Sequence, residues 1–256
     1  MKLVAILNLT PDSFFDGDKH NDLESALRHL KILISKGADV IDIGAESTRP
    51  DATPISADEE WNRLKNILPA AIKLISYHNQ KNQKKVEVSL DSRHHQTIAK
   101  GLLLGIDIIN DVSGFASEKM IQLAVNSGKK IVVMHNLGVP ANPSNIIDQN
   151  LDVFEVLIDW MKTKLQKLQK AGVKKQQIIF DIGVGFGKNA QQSIQILQQI
   201  DRFKILDLPL YVGHSNKSFL DHWNLGDQAT NRAEKTKLIS KYLIERGVDY
   251  LRVHEL

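Results

Sequence analysis

The chain has 256 residues, 42% of them hydrophobic, and its 33 basic and 30 acidic residues leave a formal charge of only +3. Those charges are well mixed, which argues against nucleic acid or a membrane as partner, and the absence of cysteine excludes disulfides and thiolate metal sites. Met1-Lys2 leads into a short strand rather than a signal peptide, and no apolar run approaches a membrane span, so a cytoplasmic location is expected.

In chain order, LVAILN (3–8) reads as a first strand and runs into NLTPDSFFDG (8–17), a turn-rich loop that holds Phe14 and Phe15. Asn8-Leu9-Thr10 matches a glycosylation sequon, which without an export signal is a chance match. Leu23, Ala26, Leu27, Leu30 and Ile34 then share one helical face. KGADVIDIG (36–44) is the first instance of a recurring phrase: a helix ends at Gly, a polar step follows, and an apolar run ends in a polar residue. Ser56 with Glu59 predicts a capping box for the helix carrying Trp61, Leu64 and Leu68, which Pro69 is expected to kink or interrupt. VEVSLD (86–91), LGIDIINDV (104–112) and SGKKIVVMH (127–135) follow as strand candidates. A second helical face joins Val153, Leu157, Trp160, Met161, Leu165 and Leu168 before AGVKKQQIIFDIG (171–183), PLYVGH (209–214) and RGVDYLRVH (246–254).

These apolar runs are short, rich in Val and Ile, and do not alternate cleanly, as expected of parallel strands covered on both faces. Eight of them separated by helices predict an α/β fold, a TIM (β/α)8 barrel forming one domain over residues 1–256. A doubly wound open sheet is the alternative, but its nucleotide fingerprint is missing. The chain stops directly after the eighth strand, so the eighth helix is expected to be absent and the uncovered apolar surface to favour an oligomer.

In such a barrel the chemistry lies where the strands end. Those ends carry Asn8, Asp42, Asp91, Asn110 with Asp111, His135, Asp181, the VGHSNKS segment, and Arg252 with His254. A single Asp there is usually a cap for the next helix, but eight polar ends around one mouth predict a site. Separated carboxylates (Asp91, Asp181) and an amide (Asn110) suit a planar heterocycle with N–H donors. Lys217, Arg252 and His254 come from the last two strands, where barrels of this kind often bind phosphate. GVGFGK (183–188) is one residue short of a P-loop and lacks its Ser/Thr, so it is read as a tight loop approaching a ligand, with Phe186 at the pocket edge. His94 and His95 are read as solvated or capping. Neither a zinc-hydrolase motif nor a Ser-His-Asp motif is present.

LNLTPDSFFDG, DIGAESTRP, SLDS, IINDVSG, VVMH, DIGVGFGK, SNKSF and RVHE resemble, in order, the motif series of the dihydropteroate synthases. The resemblance implies a transferase that joins 6-hydroxymethyl-7,8-dihydropterin pyrophosphate to 4-aminobenzoate in folate synthesis and is a sulfonamide target. It implies that Asp91, Asn110, Met134, Asp181, Phe186, Gly213, Lys217 and Arg252 bind the pterin. It places pyrophosphate on Asn8, Arg252 and His254, with Mg2+ on Asn8, and aminobenzoate on Phe14, Thr48, Arg49, Pro50 and Ser218. Asp91, Lys217, Arg252 and His254 would be catalytic, Phe14 would belong to a lid, and the protein would be a homodimer. Ala45 and Asp51 replace family glycines, Asn216 an Arg, and Ile182 a Pro; Asn136-Leu137 stands where Met-Gln is usual. These departures raise two further readings, a paralogue that binds pterin without condensing it and a pterin-dependent methyltransferase barrel.

Overall fold

The computed structural model describes residues 1–10, 19–49, 52–226 and 229–256, with backbone alone at 19–22. Eight strands pair in parallel and in chain order: Lys2–Asn8 (β1), Val40–Gly44 (β2), Glu87–Asp91 (β3), Ile108–Asp111 (β4), Lys130–Met134 (β5), Ile178–Asp181 (β6), Leu210–Val212 (β7) and Tyr250–Val253 (β8). β8 returns to β1, which closes the barrel. Between them lie Lys19–Ser35 (α1), Ala57–Leu64 (α2), Ile67–Lys81 (α3), His95–Leu104 (α4), Glu118–Ser127 (α5), Val153–Lys170 (α6), Ala190–Gln198 (α7) and Arg232–Glu245 (α8). The expected TIM barrel is the observed architecture. His254, Glu255 and Leu256 follow β8.

The pleat decides which side chains the barrel can use. Successive strand residues point to opposite faces, and the register carries one parity around all eight strands. Ala5, Leu7, Ile41, Ile43, Leu90, Ile109, Val133, Phe180 and Leu251 face outward into the layer between sheet and helices. Helix α1 meets that layer with Ala26, Leu30 and Leu33, and α6 with Phe154, Leu157 and Met161. The opposite parity fills the barrel, where Val4, Val40, Ile108, Val132, Ile179, Tyr211 and Tyr250 form a separate buried layer. Below it Glu87 pairs with Lys2 and, at 2.6 Å, with Lys130, which plugs the N-terminal end with opposite charges.

Two local expectations need correction. The helix break precedes Pro69: α2 ends at Leu64 and α3 starts at Ile67. Pro69 therefore sits in the first turn of α3, where its missing N–H has no intrahelical partner to lose. Ser56 accepts from the Glu59 N–H at 3.2 Å, but the Glu59 carboxylate turns to Arg63 and leaves the capping box half formed.

Candidate functional site

The inward parity continues upward from the apolar layer to the C-terminal strand ends. Asn8, Asp42, Gly44, Asp91, Asn110, Met134, Asp181 and Arg252 all share it, and Gly213 and His254 extend it just past β7 and β8. This is why residues spread over the whole chain meet at one mouth. Alternation also sorts the remaining strand-end groups out of it. Asp111 points outward and accepts from the backbone N–H groups of Ser113 and Phe115 and from the Ser113 hydroxyl, at 2.8–3.0 Å. His135 is buried on the outer side, edge-on to Trp160 at 4.9 Å.

At the centre of the mouth Arg252 donates through Nε to Asp42 and through Nη2 to Asp91, each at 2.7 Å. The Asn110 amide donates through Nδ2 to both oxygens of Asp42 at 3.2–3.3 Å. Asp42 is fully buried, while Asp91 and Arg252 are half-buried. Burial first, and then the neighbouring Asp42 charge, push the Asp91 carboxyl up to about 8, with Arg252 opposing them. Gly213 packs against the stem of Arg252: a Cβ there would touch its Cβ and Cδ at 3.8 Å.

Across the mouth stands a second charged pair. Asp181 Oδ1 accepts from the Gly183 N–H at 2.8 Å, which leaves Oδ2 for another donor. Lys217 reaches the Val184 carbonyl and lies 4.7 Å from the centre of the Phe186 ring. Burial lowers the Lys217 ammonium to about 8, against the pull of Asp181. The intervening loop has left-handed backbone at Gly183, Gly185 and Gly187. A side chain at Gly183 would strike the His135 carbonyl at 2.1 Å, so only glycine fits there. Lys188 is buried beneath that loop, donates to the carbonyls of Gly183 (3.0 Å) and Phe186 (2.9 Å), and hydrogen-bonds with His135 Nδ1 (2.9 Å). Asn189, which lacks the hydroxyl of a P-loop, caps α7 instead.

The rim is cationic. His254 Nδ1 meets the Ser215 hydroxyl at 3.0 Å, and burial followed by Arg252, Arg49 and Lys217 lowers its ring to about 4. Arg49 and Ser218 are exposed and Thr48 half-buried at this end; Phe14, Pro50 and Asp51 lie outside the described residues. Asn8, half-buried at the end of β1, makes no side-chain hydrogen bond to the described residues. An uncommitted amide oxygen beside an anion site fits Mg2+, which keeps waters and takes phosphate oxygens with few protein ligands.

Loop β2–α2 is clamped from behind. Glu46 accepts both arms of Arg93 at 2.7 Å and the Ile55 N–H at 3.1 Å. His94, read as solvated or capping, takes the N-cap position of α4 without a side-chain cap bond and is half-buried: its Nε2 lies 3.5 Å from Glu46, beside buried Glu60, which accepts from Ser92. Donor atoms of Glu46, Glu60 and His94 come within 4.8 Å of one another. With both Glu46 oxygens occupied by Arg93, the cluster is a loop clamp.

The family departures that fall within the described residues are accommodated. Ala45 and Ile182 are buried, and neither belongs to the left-handed non-glycine positions, Phe115, Asp207 and Asn216. Asn216 has φ +57°, a conformation that Asn tolerates better than most residues, and its N–H donates to Thr236. Asn136 and Leu137 are loop structure: Asn136 donates to the Val112 carbonyl at 2.8 Å, and Leu137 covers Gly187. Sequence reasoning left Asp42 and Lys188 without roles. Asp42 could have been found from its spacing, since it stands two residues before Gly44 and so shares the inward parity.

The family model described as "Pterin binding enzyme" matches residues 4–254. The dihydropteroate synthase of Synechocystis sp. is 32% identical over 99% of this chain and 85% of its own length. A probable bifunctional folylpolyglutamate synthase/dihydropteroate synthase of Haloferax volcanii is 34% identical, and the chain spans 29% of that protein's length. Among solved structures, the dihydropteroate synthase of Anaplasma phagocytophilum with bound 6-hydroxymethylpterin-monophosphate superposes with a TM-score of 0.86 at 38% identity, covering 100% of this chain and 93% of that one.

Proposed function

The chain belongs to the pterin binding enzyme family, and within it to the dihydropteroate synthases; on that premise we propose that it condenses 6-hydroxymethyl-7,8-dihydropterin pyrophosphate with 4-aminobenzoate. The products are 7,8-dihydropteroate and pyrophosphate. The observation that carries the reading is a mouth with acceptors (Asp91, Asn110, Asp181) at inward strand positions on one arc and cations on the other, Arg252 on β8 and Lys217 in the loop after β7.

In this reading Asn110 and Asp181 accept the pterin N–H groups, Met134 and Phe186 line its faces, and Lys217 donates to its carbonyl edge. Arg252 is held in one plane by Asp42 and Asp91 and lies along the ring. The methylene C–O bond breaks and its electron pair leaves with pyrophosphate, received by Arg252 and by His254, whose neutral ring donates an N–H. Asp91 faces the positive charge left on the pterin methylene, and a pterin N–H donated to it favours its ionised form. The aminobenzoate nitrogen, held near Thr48, Arg49 and Ser218, bonds to that carbon and sheds its proton to solvent. Mg2+ held by Asn8 and the phosphates would supply charge neutralisation for the leaving group.

Lys217, Arg252 and His254 have no task in a methyl transfer, which favours the synthase over the methyltransferase reading. Among the described residues no helix is long and apolar enough to cross a membrane, and a cytoplasmic homodimer completes the proposal, with equilibrium sedimentation as the test of the dimer. The activity is tested by pyrophosphate release from the pterin substrate and Mg2+, with and without 4-aminobenzoate. Release matched by dihydropteroate, and inhibited by a sulfonamide in competition with aminobenzoate, is the expected result. Pterin binding without condensation would replace this reading with that of a non-condensing paralogue.

A further inference from the structure

We infer that Asp42 is a specificity-determining positioning residue: by fixing the orientation of the Asn110 amide, it makes the pocket select 2-amino over 2-oxo pteridine rings. The inference rests on the pterin reading of the mouth and adds a residue that does not itself touch the ring.

An Asn side chain can present either its oxygen or its NH2 group, and the two ends have nearly the same shape. Here the choice is made from below. Asp42 is fully buried between Asn110 and Arg252 and, as a carboxylate, only accepts. Its Oδ2 takes the Arg252 Nε at 2.7 Å, and both of its oxygens take the Asn110 Nδ2 at 3.2–3.3 Å. The Nδ2 end of Asn110 is thus turned down to Asp42, and Oδ1, which accepts nothing from the described residues, is the end offered to the mouth. Asp181 likewise spends Oδ1 on its own loop and offers Oδ2. The edge facing a pteridine is then made of acceptors, which suits an exocyclic amine and opposes an exocyclic carbonyl. A site built to pair with one polar group rejects the analogue that leaves its own groups unpaired.

Asp42→Asn makes the consequence specific. Arg252 Nε still requires an acceptor, so the oxygen of the new amide faces Arg252 and its NH2 faces Asn110. Asn110 must then turn its oxygen down and its NH2 up, and the preference for the amino group is lost. The exchanged pair Asp42→Asn with Asn110→Asp keeps the charge and the hydrogen bond but again offers only an acceptor upward.

The test is equilibrium binding of 6-hydroxymethylpterin and of its 2-oxo counterpart, 6-hydroxymethyllumazine, to the intact protein, followed by fluorescence. The native protein is expected to bind the pterin more tightly. Asp42→Asn should reduce that ratio by roughly tenfold or more, and the exchanged pair should restore it. A purely structural role for Asp42 would weaken both ligands alike, and an unchanged ratio in Asp42→Asn would overturn the inference. If that variant does not fold, the exchanged pair decides: retained amino preference upholds the inference, and equal binding of the two rings overturns it. Failure of the native protein to bind either ring would instead overturn the pterin reading itself.

Discussion

Arg252 ties Asp42 to Asp91: one guanidinium bonds both carboxylates at 2.7 Å, across 210 and 161 positions of sequence. Two acidic groups share one cation, and the cluster escapes a net negative charge near neutral pH because the Asp91 carboxyl, raised to about 8, keeps its proton.

Removing the cation should leave fully buried Asp42 without its charged partner. Arg252→Met is expected to lower stability by roughly 2 kcal/mol near neutral pH, below the 3–5 typical of a fully buried pair, because Arg252 and Asp91 reach solvent. Lower pH reduces whatever carboxylate charge the lost cation leaves uncompensated and should recover part of the loss. Urea titrations of both proteins in mildly acidic and neutral buffer check this; an equal deficit in the two buffers would contradict it.

Asp91 should couple stability to pH. Its carboxyl is raised from 3.8 to about 8, so the folded state holds a proton that the unfolded chain releases. Its contribution therefore falls as pH climbs through that window and levels off above it. Asp91→Asn is expected to flatten this slope and to fold normally. Turnover should drop by about 100-fold or more, since the group facing the developing cation is gone. Near-normal turnover would remove Asp91 from the mechanism.

Lys217 sets the alkaline limit. Burial brings its ammonium down to about 8, so the cation offered to the substrate is lost as pH rises past that value. The profile of kcat/KM should fall on the alkaline side of about 8. Lys217→Arg, which stays charged, should move that limb upward even if the maximum is lower. A limb that stays in place assigns it to another group.

Lys188 should act on binding rather than on chemistry. Its amine group holds the carbonyls of Gly183 and Phe186 and the ring of His135. Lys188→Met leaves those acceptors unpaired, at a cost of roughly 1–3 kcal/mol. Because the loop it holds carries Phe186, KM for the pterin substrate should rise while kcat changes little. Steady-state kinetics with a thermal melt separate this from general destabilisation.

The barrel was legible because its signals are local. A short apolar run, preceded in five cases by a Gly that stops a helix, needs no distant partner to be recognised, and eight such runs in order define the closed sheet. The polar strand ends were legible for the same reason, and the pleat then explains which of them converge. Asn8, Asp91, Asn110, Asp181 and Arg252 keep the inward parity, whereas Asp111 and His135 stand one residue away from it.

The sequence by itself therefore determined the architecture, the end of the barrel that carries the chemistry and the kinds of side chain gathered there. Only the tertiary structure decided how those side chains are engaged: that Arg252 bridges two carboxylates, that Lys188 braces a glycine loop, and that Asp42 turns the Asn110 amide. The reason is physical. Periodicity is a property of neighbouring residues, but a hydrogen bond has direction, and its direction is set by whichever distant strand supplies the partner.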